Sequence, residues 1–271
     1  MSGATKDGIR LFISDLDGTL VDRKKQLTAG TIAAVARLKA AGIGFSVISA
    51  RPRSGVQPIV DALELEVPIG AFNGGILFKR DGTMLAEHRI APRVAAGMFE
   101  LAQGLDVAPW LFADDKWYAL AEQGPHFDSE RVSANQSPIV VEDFAPYYDR
   151  ADKITFVSDT PALLAGLLDR ARAAYGDAAT IAQSQTYYLD VTATAANKGD
   201  GVAALAESFG VPLSQTAVIG DQFNDLPMFA RAGLSIAMGQ APDGVKALAQ
   251  HVTGANDADG VAQAIDQIIL A

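Results

Sequence analysis

Two carboxylates placed two residues apart, at the end of a short apolar run, constrain this chain more than any other feature. Residues 9–20 read I-R-L-F-I-S-D-L-D-G-T-L. Ile9, Leu11, Phe12 and Ile13 predict a strand buried on both faces. The run ends in Asp15-Leu16-Asp17-Gly18-Thr19. Carboxylates at the end of a buried strand are costly without a compensating cation. In an open α/β sheet that edge is where ligands bind, and Gly18 permits a sharp turn after the second acid. Three readings fit the pair: a solvated Asp-rich turn, a divalent-cation site, or a nucleophile beside a general acid/base.

Strand and helix alternate from there. A helix is expected over 28–41, with Thr28 as N-cap and Ile32, Val35 and Leu38 at helical spacing. A buried strand over 44–50 ends in Ser49-Ala50-Arg51-Pro52, and a helix over 54–65 is bent or delayed by Pro58. A third strand ends in Ala71-Phe72-Asn73-Gly74-Gly75. The rhythm then breaks. Residues 76–90 predict a hairpin around Asp81-Gly82, 92–104 a helix, and 110–120 a hairpin turning at Asp114-Asp115-Lys116. A strand over 153–157, a helix over 160–175 capped by Thr160, and one or two strands over 180–191 complete an α+β insert. From Lys198 the βα rhythm resumes, with a helix over 198–209 and a buried strand over 216–220 that runs into G-D-Q-F-N-D. Short helices over 226–232 and 242–249 and an amphipathic one over 261–270 close the chain. The expected class is α/β, a doubly wound parallel-sheet core carrying an inserted α+β region.

The polar clusters follow strands ending near Ser14, Ala50 and Gly220 and open the helix at Lys198. In a doubly wound sheet these places share one edge. Asp221 and Asp225 would join Asp15 and Asp17 to put four acids near one point, with no arginine partner evident. Uncompensated, they would raise one another's pKa values; around Mg²⁺ they form an oxygen-ligand site. A plainer role for Asn224 or Asp225 is to cap the next helix. Ser49 offers a hydroxyl and Lys198 an ammonium, both suited to phosphoryl oxygens, although either also reads as an ordinary strand-end serine or solvated lysine. A lysine at a helix N-terminus works against the helix dipole, which favours a functional reason for it.

With 271 residues the chain is long enough for two domains. Its net charge of −10 argues against a nucleic-acid binder and means that an anionic substrate needs local cations. No apolar run is long enough for a membrane span, and residues 1–10 carry no secretory signal pattern and predict a frayed start. The absence of cysteine excludes disulfides and thiolate metal sites and fits a cytoplasmic protein.

Together these residues resemble the haloacid dehalogenase superfamily, and within it the Cof-type phosphohydrolases of subfamily IIB with a type-2 cap. The resemblance rests on Asp15-Leu16-Asp17-Gly18-Thr19, Ser49-Ala50-Arg51, Asn73-Gly74, Lys198-Gly199 and Gly220-Asp221 with Asn224-Asp225. The tail Val252-Thr253, Asn256-Asp257 and Asp259-Gly260-Val261 extends it. Ala50 departs from the glycine usual there. The resemblance implies a Rossmann-like core over 1–86 and 190–271 and a cap over 87–189, in which Trp110, Trp117, Tyr118, His126, Lys153 and Tyr187 are candidates to touch substrate. It implies Asp15 as nucleophile, Asp17 as general acid and then base, and Ser49, Lys198 and Asn224 at the phosphate. Asp15, Asp17, Asp221 and Asp225 would hold Mg²⁺, and Arg51, Asn73, Gly74 and Lys153 would reach the substrate. The implied activity is hydrolysis of a small phosphorylated metabolite such as a sugar phosphate through an aspartyl-phosphate. A phosphomutase or a non-catalytic phosphometabolite-binding protein on the same scaffold is the alternative. Asp17 argues against a dehalogenase, and the short gap between Asp17 and Ser49 argues against a mutase cap.

Overall fold

The computed structural model describes residues 8–271. The frayed start expected over 1–10 lies, through residue 7, outside them. In chain order the elements are β1 (Leu11–Ser14), α1 (Ala29–Ala40), β2 (Gly44–Val47), α2 (Arg53–Ala62), β3 (Ile69–Ala71), β4 (Ile76–Phe78) and β5 (Met84–Glu87). The middle of the chain forms α3 (Pro92–Ala102), β6 (Ala108–Ala113), β7 (Lys116–Ala119), α4 (Phe127–Ala134), β8 (Ile139–Val140), β9 (Ala151–Val157), α5 (Pro161–Tyr175), β10 (Ala179–Gln185) and β11 (Tyr188–Ala193). The last part forms α6 (Lys198–Ser208), β12 (Thr216–Gly220), α7 (Leu226–Phe229), β13 (Leu234–Ala237), α8 (Asp243–Lys246), β14 (His251–Val252) and α9 (Gly260–Ala264).

Five parallel strands form the core sheet in the order β14-β13-β12-β1-β2. The chain enters at β1, moves to β2 on one side and resumes at β12 on the other. The strand order therefore reverses between β1 and β12, the place where open α/β sheets bind ligands. The residues of β1 are fully buried, as its continuous apolar run requires. Ser14 sits in register with Ile219, and the Asp15 amide donates to the Ile219 carbonyl at 3.0 Å. Asp15 and Asp221 thus leave adjacent strand ends. Thr28 caps α1 as expected, its hydroxyl accepting the Thr31 amide at 3.0 Å, while Thr31, Ala34, Val35 and Leu38 turn inward and Ile32 is left exposed.

The insert builds a second sheet, β10-β11-β9-β6-β7-β8, antiparallel except between β7 and β8. Along β9 the side chains alternate between its faces. Ile154 and Phe156 meet Val94, Met98, Leu164 and Leu167 of α3 and α5. On the other face Trp110, Phe112, Trp117 and Phe127 join the apolar cluster of the core, with Phe112 against Phe72 at a ring separation of 5.7 Å.

Several expectations shift. The third strand, β3, pairs with β4 in a separate antiparallel sheet that includes β5, and touches β2 through a single bridge between Ile48 and Gly70. The second sheet continues to Ala193, past the boundary expected at 189, because β11 keeps its pairing with β9 and β10. Thr160 occupies the N-cap of α5 without a capping bond; instead its own amide donates to the Ser158 hydroxyl at 3.2 Å. Helix α4 falls in a stretch where the pattern suggested no element, since only Phe127 and Ala134 of its buried side are apolar. The closing helix splits into α9 and a π-helical turn over Ile265–Ile269.

The insert docks on the start of α2. Asp115, in the β6–β7 turn, accepts the Ser54 amide at 3.1 Å and supplies the side-chain cap that Pro52 cannot. The Ser54 hydroxyl donates to the Ala134 carbonyl at 2.7 Å. Gly55 makes this approach possible, because a β-carbon there would lie 2.0 Å from the Ser133 carbonyl oxygen. Gly55→Val should therefore cost about 1–3 kcal/mol through overpacking. It would be read as a lower urea midpoint at unchanged slope, and an unshifted midpoint would contradict the close docking.

Candidate active site

Asp15, Asp221 and Asp225 meet at the switch point, with one carboxylate oxygen of each within 4.8 Å of the others. Lys198 enters this group from the first turn of α6. Its ammonium donates to Asp15 Oδ1 at 2.6 Å and to Asp225 Oδ1 at 2.5 Å. The second oxygen of Asp225 accepts the amides of Asp221 and Gln222, each at 2.8 Å. Asp225 is thus wholly engaged by the protein, fixing both Lys198 and its own loop. Gly18 is required beside the group: it has φ of +78°, and a β-carbon would sit 2.4 Å from Asp221 Oδ2.

Three carboxylates against one ammonium leave a formal charge of −2 in buried space. Burial pushes Asp15 up to about 7, against the pull of Lys198. Burial, and then Asp15 and Asp225, push Asp221 up to about 8. Burial alone would lower Lys198, but Asp15 and Asp225 hold it well above its ordinary value. An all-oxygen donor set with this residual charge fits a hard divalent cation.

The expectation of four acids without an arginine is corrected here, because Asp17 stands apart from the other three. Arg51 grips it in a fork, Nε to Oδ2 at 2.7 Å and the terminal nitrogen to Oδ1 at 2.8 Å. Lys25 also donates to Oδ1. Burial would raise Asp17, yet the guanidinium and Lys25 hold it well below the usual carboxylate range. The reason is geometric: the β1 and β2 ends are neighbours, so the loop after β2 delivers Arg51 to the second acid.

A pocket of about 60 Å³ lies over these groups, its wall including Asp15, Asp17, Ser49, Arg51, Lys153, Asp221 and Asn224. It adjoins an outer groove of about 370 Å³ past Lys25, Gln185 and Tyr187. The Ser49 hydroxyl accepts the Arg51 amide at 3.1 Å. Lys153 crosses from the insert to donate to the Ala50 carbonyl at 3.2 Å. Asn73 and Gly74 lie behind the wall. The Asn73 side-chain Oδ1 accepts from the Asn224 side-chain Nδ2 at 3.3 Å, and Gly74 packs against Gly201. Of the aromatic candidates, Tyr187 reaches the pocket. Trp110 and Trp117 are core residues, Tyr118 stacks on Tyr147, and His126 stacks on Tyr187. Sequence reasoning missed Lys25, Tyr188 and Glu130. Glu130 left a trace, since it shares an inward stripe with Phe127 and Ala134 at helical spacing.

The sequence profile of the haloacid dehalogenase-like hydrolases matches residues 12–265. The 5-amino-6-(5-phospho-D-ribitylamino)uracil phosphatase of Bacillus subtilis is 27% identical over 93% of this chain and 95% of its own length. The pyridoxal phosphate phosphatase of Escherichia coli is also 27% identical, over 94% of this chain and 97% of its own. A haloacid dehalogenase-like hydrolase from Bacteroides thetaiotaomicron superposes with a TM-score of 0.83 at 26% identity, covering 96% of this chain and 99% of that one.

The raised Asp15 and Asp221 carboxyls hold protons that the unfolded chain releases in the ordinary carboxylate range. Between that range and about pH 8 the metal-free folded state binds more protons than the unfolded state, so stability falls as pH rises through this window. In excess chelator the melting temperature should fall with pH there, and Asp221→Asn should make the slope shallower. Asp152, which burial pushes up to about 7, adds the same slope to both proteins. Identical slopes would show that the cluster does not carry the charge described.

Proposed function

This chain belongs to the haloacid dehalogenase-like hydrolases and is a phosphoric monoester hydrolase, and we propose that it works as a Mg²⁺-dependent phosphatase through an aspartyl-phosphate on Asp15. The observation that carries this reading is the switch-point cluster, a buried formal charge of −2 that one divalent cation would balance. Asp15 and Asp221, with the Asp17 main-chain oxygen, would hold the ion, which would offset charge on the phosphoryl oxygens. Asp225 would act on it through the loop it anchors. Ser49 and Lys198 would bind the transferring group, and Asn224, tied to Asn73, would keep that loop in place.

In this reading an Asp15 oxygen attacks phosphorus while the bond to the leaving oxygen breaks and Asp17 gives that oxygen its proton. Water then attacks the same phosphorus, Asp17 takes a proton from it, and phosphate departs with Asp15 restored. A protonated Asp17 is incompatible with the Arg51 fork. An incoming phosphoryl group offers Arg51 and Lys25 another anionic partner, which frees Asp17 to carry the proton. The insert, expected over 87–189 and with its sheet running on to Ala193, would act as the cap, covering the site and excluding water. Arg51 and Lys153 stand where the ester would lie. Its substrate would be a small phosphorylated metabolite, as it is for the two relatives named for theirs.

Asp15→Asn should retain the fold and release no more than a trace of phosphate. Asp17→Asn should lower kcat by about 10²–10⁴-fold, the scale of a general acid–base contribution. More than a trace of turnover in purified Asp15→Asn protein would sink the assignment. Excess chelator should silence a phosphate-ester screen and added Mg²⁺ restore it; full turnover in chelator would refute the metal reading.

A further inference from the structure

The two ends of the pocket are chemically unlike. The core end presents Lys25, Ser49 and Arg51 beside Asp15 and Asp17. The far end is built by the insert, from Glu130 on α4 with Tyr188 of β11 and Lys153 of β9. Asp190 lies two residues along β11 from Tyr188, on the same face of the sheet.

This far end holds polar groups without partners. Glu130 is 6% exposed, and among the described residues it makes neither a side-chain hydrogen bond nor an ion pair within 4.0 Å. The Tyr188 hydroxyl lies beside the Glu130 carboxylate without closing to a hydrogen bond within 3.5 Å, and Asp190 Oδ2 is buried and unpartnered. The nearby cations are engaged elsewhere. Arg51 gives its donors to Asp17 and the Gly55 carbonyl. Lys153 donates to Ala50, stands 3.8 Å from Asp190 Oδ1 and lies over the Phe112 ring at 4.9 Å. Buried polar atoms in folded proteins nearly always find partners, and a buried carboxylate left alone is expensive. Glu130 and Tyr188 line this end of the pocket, with Asp190 behind the wall, and a carboxylate without a strong donor there points to a ligand that supplies one.

We propose that Glu130, with Tyr188, is the specificity-determining end of the pocket. It selects esters whose leaving group carries hydroxyl or ammonium donors and rejects those bearing a second anion. The proposal rests on reading the core end as the phosphate site. A hydroxyl or ammonium at this end would give Glu130 the donor it lacks. A carboxylate or second phosphate there would face the Glu130 carboxylate, while Lys153 is already shared between the Ala50 carbonyl and Asp190. Burial pushes the Glu130 carboxyl above its ordinary value, against the pull of Lys153, and a donor placed beside it would offset that cost.

The test uses three esters of one size, the glucose, glucosamine and gluconate compounds phosphorylated at the terminal carbon. Their affinities are measured by calorimetry on full-length Asp15→Asn protein in Mg²⁺, which separates recognition from turnover; hydrolysis by the unaltered enzyme tests the phosphatase reading independently. In the Asp15→Asn background the glucosamine ester should bind about tenfold or more tighter than the gluconate ester. Adding Glu130→Gln should bring that ratio close to one, chiefly by improving the gluconate ester. Tyr188→Phe, which removes a single oxygen, should weaken the glucose and glucosamine esters alike, and it carries the test should Glu130→Gln fail to fold. A ratio unmoved by Glu130→Gln, tighter binding of the gluconate ester, unchanged affinities in Tyr188→Phe, or no binding of any of the three would overturn the proposal.

Discussion

A buried excess of negative charge at the switch point is the constraint on which the rest of the structure depends. Asp15 and Asp221 end adjacent parallel strands because the strand order reverses between them. Lys198 offsets one charge, and Asp225 gives both of its oxygens to hold that lysine and the loop carrying Asp221. The arrangement stores an electrostatic cost that a divalent cation would relieve. Gly18 and the tight β1–β12 pairing serve the same end, since they let the acids approach without a side chain between them.

The second acid obeys a different balance. Asp17 lies two residues from Asp15, yet Arg51 and Lys25 surround it and hold it ionised. Two carboxylates of the same motif therefore have opposite pKa shifts, with Asp15 raised and Asp17 lowered, and such separation is how neighbouring acids take different roles. Arg51 has a further neighbour in the Gly55 carbonyl, at the start of the helix on which the insert docks. The core end of the pocket and the seat of the insert are thus parts of one segment running from Ser49 into α2, over which Lys153 reaches from the insert to Ala50.

Much of this was legible in the chain. Short apolar runs such as β1 and β12, bounded by turn residues, read as strands buried on both faces, and the Asp-rich or Ser-rich turns following them mark one sheet edge. The Asp114-Asp115 hairpin and the Thr28 cap follow from local chemistry and appear where expected. Helix α4 was not legible, because Glu130 and Ser133 occupy two of its buried positions and blur the apolar stripe. Nor was the detachment of β3 from the core sheet, which is settled by its pairing with β4.

The sequence by itself determined the α/β class, the break in rhythm that marks the insert, and the set of acids, hydroxyl and lysine at the strand ends. These are matters of period, spacing and residue type, which act locally. Tertiary structure alone decided that the four acids divide into a group of three and one Arg51-bound outlier, that Asp225 anchors its loop, and that Glu130 looks into the pocket. Each of these depends on where a side chain meets a partner far along the chain, such as Lys198 on Asp15 or Lys153 on Ala50. Pairings of that kind are set by strand order and docking, which no local pattern encodes.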